Sequence, residues 1–190
     1  YAGFDVVTYS GKGGSKTHRH NLNAVPQMIW VKCRADTGKD WWVYNYKMNG
    51  GTNPENYYLK LNSTNVSFTN QSEAFNDQAP TATAFTVGSN GAVNGYGDNY
   101  IAMLFASVDG ISKVDGYDGD TNAQDKTISC GFQPRFVIAK CSTVGGSYNH
   151  WFVFDSVRGA GSGNDKALRI DVDEAQTTNQ DIIEFTSNGF

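Results

Sequence analysis

The chain has 190 residues, of which 39% are hydrophobic, 13% aromatic and only 18% charged, with a formal net charge of −4. That charge provides no basic surface for a phosphate backbone. The longest apolar run, residues 100–106, is far shorter than the roughly 20 residues that cross a bilayer. We therefore expect neither a nucleic-acid partner nor membrane insertion. The 21 glycines and the many aromatic residues indicate a loop-rich β protein.

In chain order, the first 110 residues contain seven runs rich in β-branched and aromatic residues, bounded by polar or glycine-containing turns. In the run 57–62, alternation predicts that Leu59 and Leu61 face the core and that Tyr58 faces solvent. Residues 63–82 are polar and predict a long surface loop with one short turn of helix. The predicted strands are residues 4–9, 16–20, 27–33, 41–46, 57–62, 84–88 and 99–106.

One of these runs returns later in the chain. Residues 25–33 read VPQMIWVKC and residues 132–141 read FQPRFVIAKC. At an offset of 108, a proline, a polar residue, four apolar residues, a lysine and a cysteine coincide. The pattern predicts a tandem repeat. Two further runs return in the same order: residues 151–155 correspond to residues 41–45, and residues 167–171 correspond to residues 58–62.

The repeat predicts a first unit at residues 1–110 and a second at residues 111–190. The sequence stops near the counterpart of residues 84–85, so no partner for the apolar run 99–106 is present in the second unit. We therefore expect an incomplete second unit and a chain that is part of a longer protein. The predicted fold is all-β, with two tandem homologous antiparallel β-sandwich units that resemble jelly rolls.

The three cysteines cannot all pair, and Cys33 and Cys141 occupy equivalent positions in the repeat. We expect three reduced, buried thiols. Other reactive residues form no strong motif. Residues 11–17 lack the glycine that precedes the lysine of a phosphate-binding loop. His18 and His20 have the spacing of two metal ligands on one strand face, without a third beside them, so ordinary strand surface is the better interpretation.

Residues 118–122 begin like a calcium loop but lack its later glycine and glutamate, so we interpret them as a solvated turn. No activated nucleophile and no pair of carboxylates in aromatic surroundings stands out. We therefore expect no enzyme activity, no metal and no cofactor.

Five segments of the sequence carry a recognisable pattern: residues 3–11, 20–32, 85–89, 104–110 and 131–138. They resemble an uncharacterised repeat domain that is common in phage proteins, especially those of marine phages. The resemblance implies a virion protein, typically a tail-fibre or appendage component, located in the extracellular particle. Its partners would be other copies of itself, other virion proteins and a glycan or receptor of the host surface. The resemblance brings no catalytic residues.

The aromatic residues leave two interpretations open. Trp30 and Trp41 alternate with the core positions of their strands, and Phe136 and Trp151 repeat the arrangement. Either both sheet faces are covered, by a second sheet or by the sister unit, or these faces form a subunit interface or a sugar-stacking platform. We favour burial between repeats or subunits. The candidate contact residues are Trp30, Trp41, Trp151, Tyr96 and Tyr148.

The expected function is that of a non-enzymatic phage structural protein, a tail-fibre or appendage domain for attachment to the host surface. The loops at residues 63–82, 88–98 and 145–150 are the predicted outward contacts. A capsid-decorating or neck protein is one alternative. A carbohydrate-binding or depolymerising module is another.

Overall fold

The computed structural model describes residues 3–69, 71–119, 126–144, 149–161 and 163–190. Within them, the eight pairs of neighbouring strands are all antiparallel, which confirms the all-β class. No described helix is long and apolar enough to cross a membrane. The strands are β1 (Phe4–Ser10), β2 (Lys16–Arg19), β3 (Met28–Cys33), β4 (Trp42–Asn45), β5 (Leu59–Lys60), β6 (Ala84–Val87), β7 (Asn99–Phe105), β8 (Phe136–Ala139), β9 (Phe152–Asp155), β10 (Asp165–Arg169) and β11 (Thr177–Gln180), with short helices α1 (Ser72–Phe75) and α2 (Gly91–Asn94) and 3₁₀ turns at Met48–Gly51 and Pro54–Asn56.

The first sheet has five strands in the order β1-β7-β3-β4-β5. The apolar run predicted to be a central strand is β7, and Tyr100, Ala102 and Leu104 on it are completely buried. Full burial of a leucine such as Leu104 stabilises a fold by about 1.5–3 kcal/mol. The core of the chain therefore lies against the face of the sheet that these residues share.

A second layer covers that face. Strands β2 and β6 form a two-stranded sheet of their own. The Tyr9 ring stacks on Tyr100 at 5.2 Å and on His18 at 4.0 Å, and the buried Phe85 lies at the edge of Tyr9. These rings join the first sheet to the β2–β6 pair.

The turn at residues 88–98 was predicted to make outward contacts, and for residues 92–94 in its middle this prediction is wrong because they are buried. It contains α2, whose Val93 and Asn94 are completely buried. The Tyr100 hydroxyl donates to Gly91 O at 2.7 Å, and Asn94 Oδ1 accepts from Lys12 N at 2.9 Å. A β-carbon at Gly11 would lie 2.0 Å from Gly95 O, so this close approach requires a glycine.

The predicted surface loop at residues 63–82 does contain its turn of helix, α1, but part of it is packed. Phe75 is buried, and Phe68 pairs with Tyr58 and stacks on its ring at 4.8 Å. Tyr58 in turn stacks on Trp42 at 3.8 Å. The prediction that Tyr58 faces solvent is therefore wrong, because the loop folds back and covers it.

The second sheet has four strands in the order β11-β10-β9-β8. At its centre, the completely buried Asp165 accepts hydrogen bonds from the backbone N–H groups of Gly161, Ile182 and Ile183 at 3.1, 2.6 and 2.7 Å. The Asp165 carboxylate thus connects the segment at Gly161 and the segment at Ile182 and Ile183 to the start of β10.

Strands β8, β9 and β10 have the same register as β3, β4 and β5. The pair Trp30–Val43 corresponds to Ile138–Val153, and the same correspondence holds along both ladders. Backbone hydrogen bonds agree as well: Tyr46 N donates to Gln27 O at 2.9 Å, and Ser156 N donates to Arg135 O at 3.0 Å. Below, a counterpart is the residue at the same register position in the other sheet.

The cysteines depart from the prediction of three buried thiols. Cys33 is buried, Cys130 is partly buried and Cys141 is exposed, and all three are free. The prediction is wrong for Cys141 because β8 ends at Ala139 and the cysteine lies in the loop beyond it.

Candidate functional site

The two larger sheets meet at one end of the β3–β4 and β8–β9 hairpins. Trp151 Nε1 donates to Lys60 O at 2.9 Å, Ser67 N donates to Ser142 O at 2.9 Å, and Lys140 Nζ donates to Thr64 O at 3.1 Å. The Trp151 ring is 5% exposed and packs in the core of the first sheet. These contacts join the loop after β5 to the loop between β8 and β9, and Asp40 connects the loop between β3 and β4 to them through Lys60 and Asn62.

We call these loops the loop surface: residues 34–41, 61–67, 140–144 and 149–150. Inside it, Lys60 Nζ lies 2.8 Å from Asp40 Oδ2, and Asn62 Nδ2 donates to Asp40 Oδ1 at 2.9 Å. Lys32 Nζ donates to Lys39 O at 2.5 Å, and its counterpart Lys140 donates to Asn149 O. Polar side chains therefore fix the loops at their base, while several residues at the loop tips are exposed to solvent. The exposed positions include Arg34, Asp36, Thr37, Asn62, Asn65, Thr143 and Val144.

Trp41 is half-buried at the border of the loop surface, one residue before β4 begins. Its backbone N–H donates to Asn62 Oδ1 at 3.0 Å. Partial burial acts to raise the pKa of the neighbouring Asp40, but hydrogen bonds from Lys60 and Asn62 outweigh it and lower that pKa. The Trp41 backbone is thus held close to a carboxylate, an amide and an ammonium group, while its half-buried side chain packs against the core. Such polar groups can hydrogen-bond the hydroxyls of a sugar, and an indole can stack on its ring.

His150 of the loop surface and Asp171, just outside it, form a hydrogen-bonded pair. His150 Nδ1 lies 3.1 Å from Asp171 Oδ2, and Asp171 Oδ1 accepts from Trp151 N at 3.1 Å. Asn62 accepts from Trp41 N in the same way in the first sheet. The His–Asp pair therefore has a structural role, fixing the start of the hairpin, and its geometry alone does not indicate catalysis.

The other candidate contact residues are dispersed. Trp30 is half-buried against Phe105, with ring centroids 4.9 Å apart, on the opposite sheet face from the core. Tyr96 is 85% exposed in the turn after α2. Tyr148 lies outside the described residues. Trp151 is buried where the two larger sheets meet and is 5% exposed.

His18 and His20 do not form strand surface as predicted. The His18 ring stacks on Tyr9 at 4.0 Å and lies 5.8 Å from the Phe85 ring, and His20 is 6% exposed with Nε2 3.2 Å from Thr81 O. Among the described residues, no group of three or more His, Cys, Asp or Glu side chains could hold a metal ion. Part of the segment 118–122 lies outside the described residues.

A separate open cleft of about 380 Å³ lies at the opposite end of the β8–β9 hairpin. Arg135, Ser156, Gly159, Gly161 and Phe185 are among the residues that line it. Arg135 and Ser156 hydrogen-bond to each other through their backbones as part of the hairpin. Among the described residues that line it there is no histidine, cysteine or carboxylate, so the loop surface is the better candidate site.

The whole chain, residues 1–190, matches the family described as Domain of unknown function (DUF7483). The chain belongs to this family. No curated protein and no solved structure matches it.

For this DUF7483 chain, sequence reasoning found Trp41 but missed the polar residues that frame it, namely Asp40, Lys60 and Asn62. The sequence did contain one signal for this region, the position of a lysine near the end of β3 and of β8. Lys32 and Lys140 align in the repeat, and both reach a backbone carbonyl of their own hairpin loop. A lysine repeated inside an apolar strand therefore indicated a fixed loop at that end of each hairpin.

Proposed function

We propose that this chain is a non-enzymatic structural protein of a phage particle, a tail-fibre or appendage domain that attaches to the host surface. The observation that carries the proposal is the loop surface, to which loops of both larger sheets contribute. Its tips are exposed, while hydrogen bonds from Lys60, Lys140 and Trp151 anchor its base. Loops on a rigid scaffold are the usual location of recognition residues.

The repeat hypothesis belongs to this proposal. The common register of β3–β4–β5 and β8–β9–β10 supports a duplication, with residues 1–110 and 111–190 as its two units. A duplicated domain presents two related hairpin loops side by side. In a multi-copy appendage, weak contacts at such loops add up through effective concentration.

The location in the particle is tested by immunogold electron microscopy of a phage that encodes this chain, with antibodies raised against the purified protein. The proposal predicts gold at the tail fibres or other appendages. Gold spread over the capsid, or confined to the neck, would replace it with the decoration or neck alternative.

Carbohydrate binding is a second candidate, favoured by the setting of Trp41. Trp41 is half-buried, its backbone N–H donates to Asn62, and Asn62 in turn donates to Asp40 on the loop surface. Glycan-array binding that is lost in Trp41→Ala and retained in Tyr96→Ala, with unchanged circular dichroism in both, would support it. Cleavage of any polysaccharide by the purified protein would contradict the non-enzymatic part of the proposal.

A further inference from the structure

We propose that Asn49 is a site of spontaneous modification, at which the side-chain amide is lost through a succinimide to leave isoaspartate or aspartate. The sequence contains four Asn–Gly pairs, at residues 49–50, 90–91, 94–95 and 188–189. A glycine after an asparagine favours this reaction, because no β-carbon hinders the approach of the glycine nitrogen to the asparagine side chain. The sequence alone ranks the four pairs equally, and the structure separates them.

The reaction is intramolecular and needs only water as a co-reactant. The Gly50 nitrogen gives up its proton and bonds to Asn49 Cγ, the Cγ–Nδ2 bond breaks, and the amide nitrogen leaves as ammonia. Water then opens the succinimide ring. Attack at the main-chain carbonyl of Asn49 gives isoaspartate, and attack at Cγ gives aspartate. The asparagine side chain and the following peptide nitrogen must both be able to move for the ring to close.

Asn49 and Gly50 meet this requirement. Both are exposed, in the short 3₁₀ turn Met48–Gly51, and both have a left-handed backbone, with φ of 52° and 63°. A β-carbon built at Gly50 would have no atom within 4 Å, so the peptide has room to rotate. Asn49 Nδ2 donates to Thr52 O at 2.8 Å, and Thr52 is exposed as well. Opening this turn therefore exchanges its bonds for water without uncovering the core.

Asn94 is held in the opposite way. It is completely buried, and its Nδ2 donates to Gly14 O and to Gly88 O. The attacking nitrogen is also engaged, because Gly95 N donates to the Tyr100 hydroxyl at 2.7 Å. Loss of one buried hydrogen bond corresponds to about tenfold in rate, so this pair should react far more slowly than Asn49.

Asn90 is fixed as the N-cap of α2. Its Oδ1 accepts from Ala92 N at 2.9 Å, and its Nδ2 donates to Glu73 Oε1 at 3.1 Å. Ring closure at Asn90 would break both side-chain bonds and remove the cap of the helix.

Asn188 is exposed but is followed by a glycine without room to move. Gly189 is buried, and a β-carbon at this position would lie 1.9 Å from Ile128 O. Asn188 Nδ2 donates to Ser129 Oγ at 2.8 Å, and Asn188 O accepts from Cys130 N at 2.7 Å. The peptide that would have to rotate is therefore fixed on both sides.

The second repeat supplies a matched control for Asn49. At the offset that relates residues 41–45 to residues 151–155, Asn49 aligns with Gly159, which also has a positive φ, of 101°. A glycine suits such a backbone better than any other residue. The variant Asn49→Gly therefore removes the reactive amide and keeps the turn.

The test follows the purified 190-residue chain during incubation at mildly alkaline pH. Peptide mapping by mass spectrometry measures the conversion of each amide to an acid, and enzymatic methylation of isoaspartate identifies the product. We expect Asn49 to convert about tenfold faster than Asn90, Asn94 or Asn188 in the folded chain. In urea, where no fold protects any pair, the four rates should become similar.

Ion-exchange chromatography of two variants completes the test, because each conversion adds a negative charge. The acidic species that accumulates in the unmodified chain should be absent from Asn49→Gly and should persist in Asn188→Ser, with unchanged circular dichroism in both. Equal rates at the four asparagines of the folded chain would overturn the proposal. So would an unreactive Asn49 in the folded chain that reacts in urea, or an acidic species that persists in Asn49→Gly.

Discussion

The indole N–H of Trp151 donates a hydrogen bond to the backbone carbonyl of Lys60 across 2.9 Å, and this bond joins the second sheet to the edge strand of the first. Lys60 is also the residue that holds Asp40 in the loop surface. The stability of the contact between the sheets and the geometry of the loop surface are therefore coupled through β5.

Replacing Trp151 should weaken this contact in two steps. Trp151→Phe keeps an aromatic ring but leaves Lys60 O without its partner, which should lower the free energy of unfolding by about 1–3 kcal/mol. Trp151→Ala also creates a cavity and should cost about 3–5 kcal/mol. Urea denaturation measures both. The exposed Tyr96→Ala is the control, and a Trp151→Ala variant as stable as this control would contradict the assignment.

Asp165 should be the carboxylate most sensitive to replacement in the second sheet. Asp165→Asn places an amide N–H₂ opposite backbone donors and should lower the free energy of unfolding by about 3 kcal/mol, since buried donors lose a charged acceptor. Thermal unfolding measures the loss. The same change at the exposed Asp181 should have almost no effect. Equal stability of the two variants would show that the backbone amides of Gly161, Ile182 and Ile183 do not depend on Asp165.

Stability should decrease at mildly acidic pH because of His18. Burial, with a smaller contribution from Lys16, lowers the pKa of His18 below its ordinary value of 6.5. The folded chain therefore binds fewer protons than the unfolded chain as the pH falls below about 6.5. The stabilisation from neutral His18 is present above that pH and is lost as the pH falls through the folded-state pKa.

Melting temperatures at pH 7.5 and pH 5.0 provide the measurement for His18. The variant His18→Phe retains an aromatic ring next to Tyr9 and Phe85 but cannot titrate, so its melting temperature should fall less than that of the unmodified chain. An identical fall in both proteins would assign the pH dependence to other groups.

The cysteines should differ sharply in alkylation rate. Partial burial acts to raise the pKa of Cys141, but hydrogen bonds from Val144 and Thr143 outweigh it and lower that pKa. Cys141 is also exposed, whereas Cys33 is buried. Peptide mapping after brief iodoacetamide treatment at pH 7 should find Cys141 modified first and Cys33 unmodified. Modification of Cys33 at a similar rate would mean that β3 and β7 separate readily.

The strands were predictable because periodicity two and β-branched or aromatic composition are local properties. Each of the seven runs predicted in the first 110 residues contains an observed strand, most within a residue of the expected bounds, although 57–62 shortens to Leu59–Lys60. The predictions that failed concern tertiary contacts between segments distant in the sequence. Tyr58 is buried because Phe68, ten residues later, folds back over it, and alternation within one strand carries no information about such a loop.

The loop surface was only partly predictable for a similar reason. Lys140 and Trp151 join the sheets through the backbone carbonyls of Thr64 and Lys60, and a carbonyl acceptor leaves no side-chain pattern in the sequence. The repeat did indicate that the two hairpins are alike. It could not indicate that their loops would lie together, because the relative placement of two sheets depends on contacts between them.

The most direct measurement of the central claim is inhibition of phage adsorption by the purified chain. Host cells of a phage that encodes it are preincubated with the protein, and residual adsorption is counted. The variant Thr37→Arg/Val144→Arg changes exposed residues of two loops of the loop surface, and Thr178→Arg/Val157→Arg makes the same changes at exposed positions outside it. The account predicts that the unmodified chain and the second variant inhibit adsorption, and that the first variant inhibits at least tenfold less. Equal inhibition by both variants, or none by the unmodified chain, would contradict attachment through the loop surface.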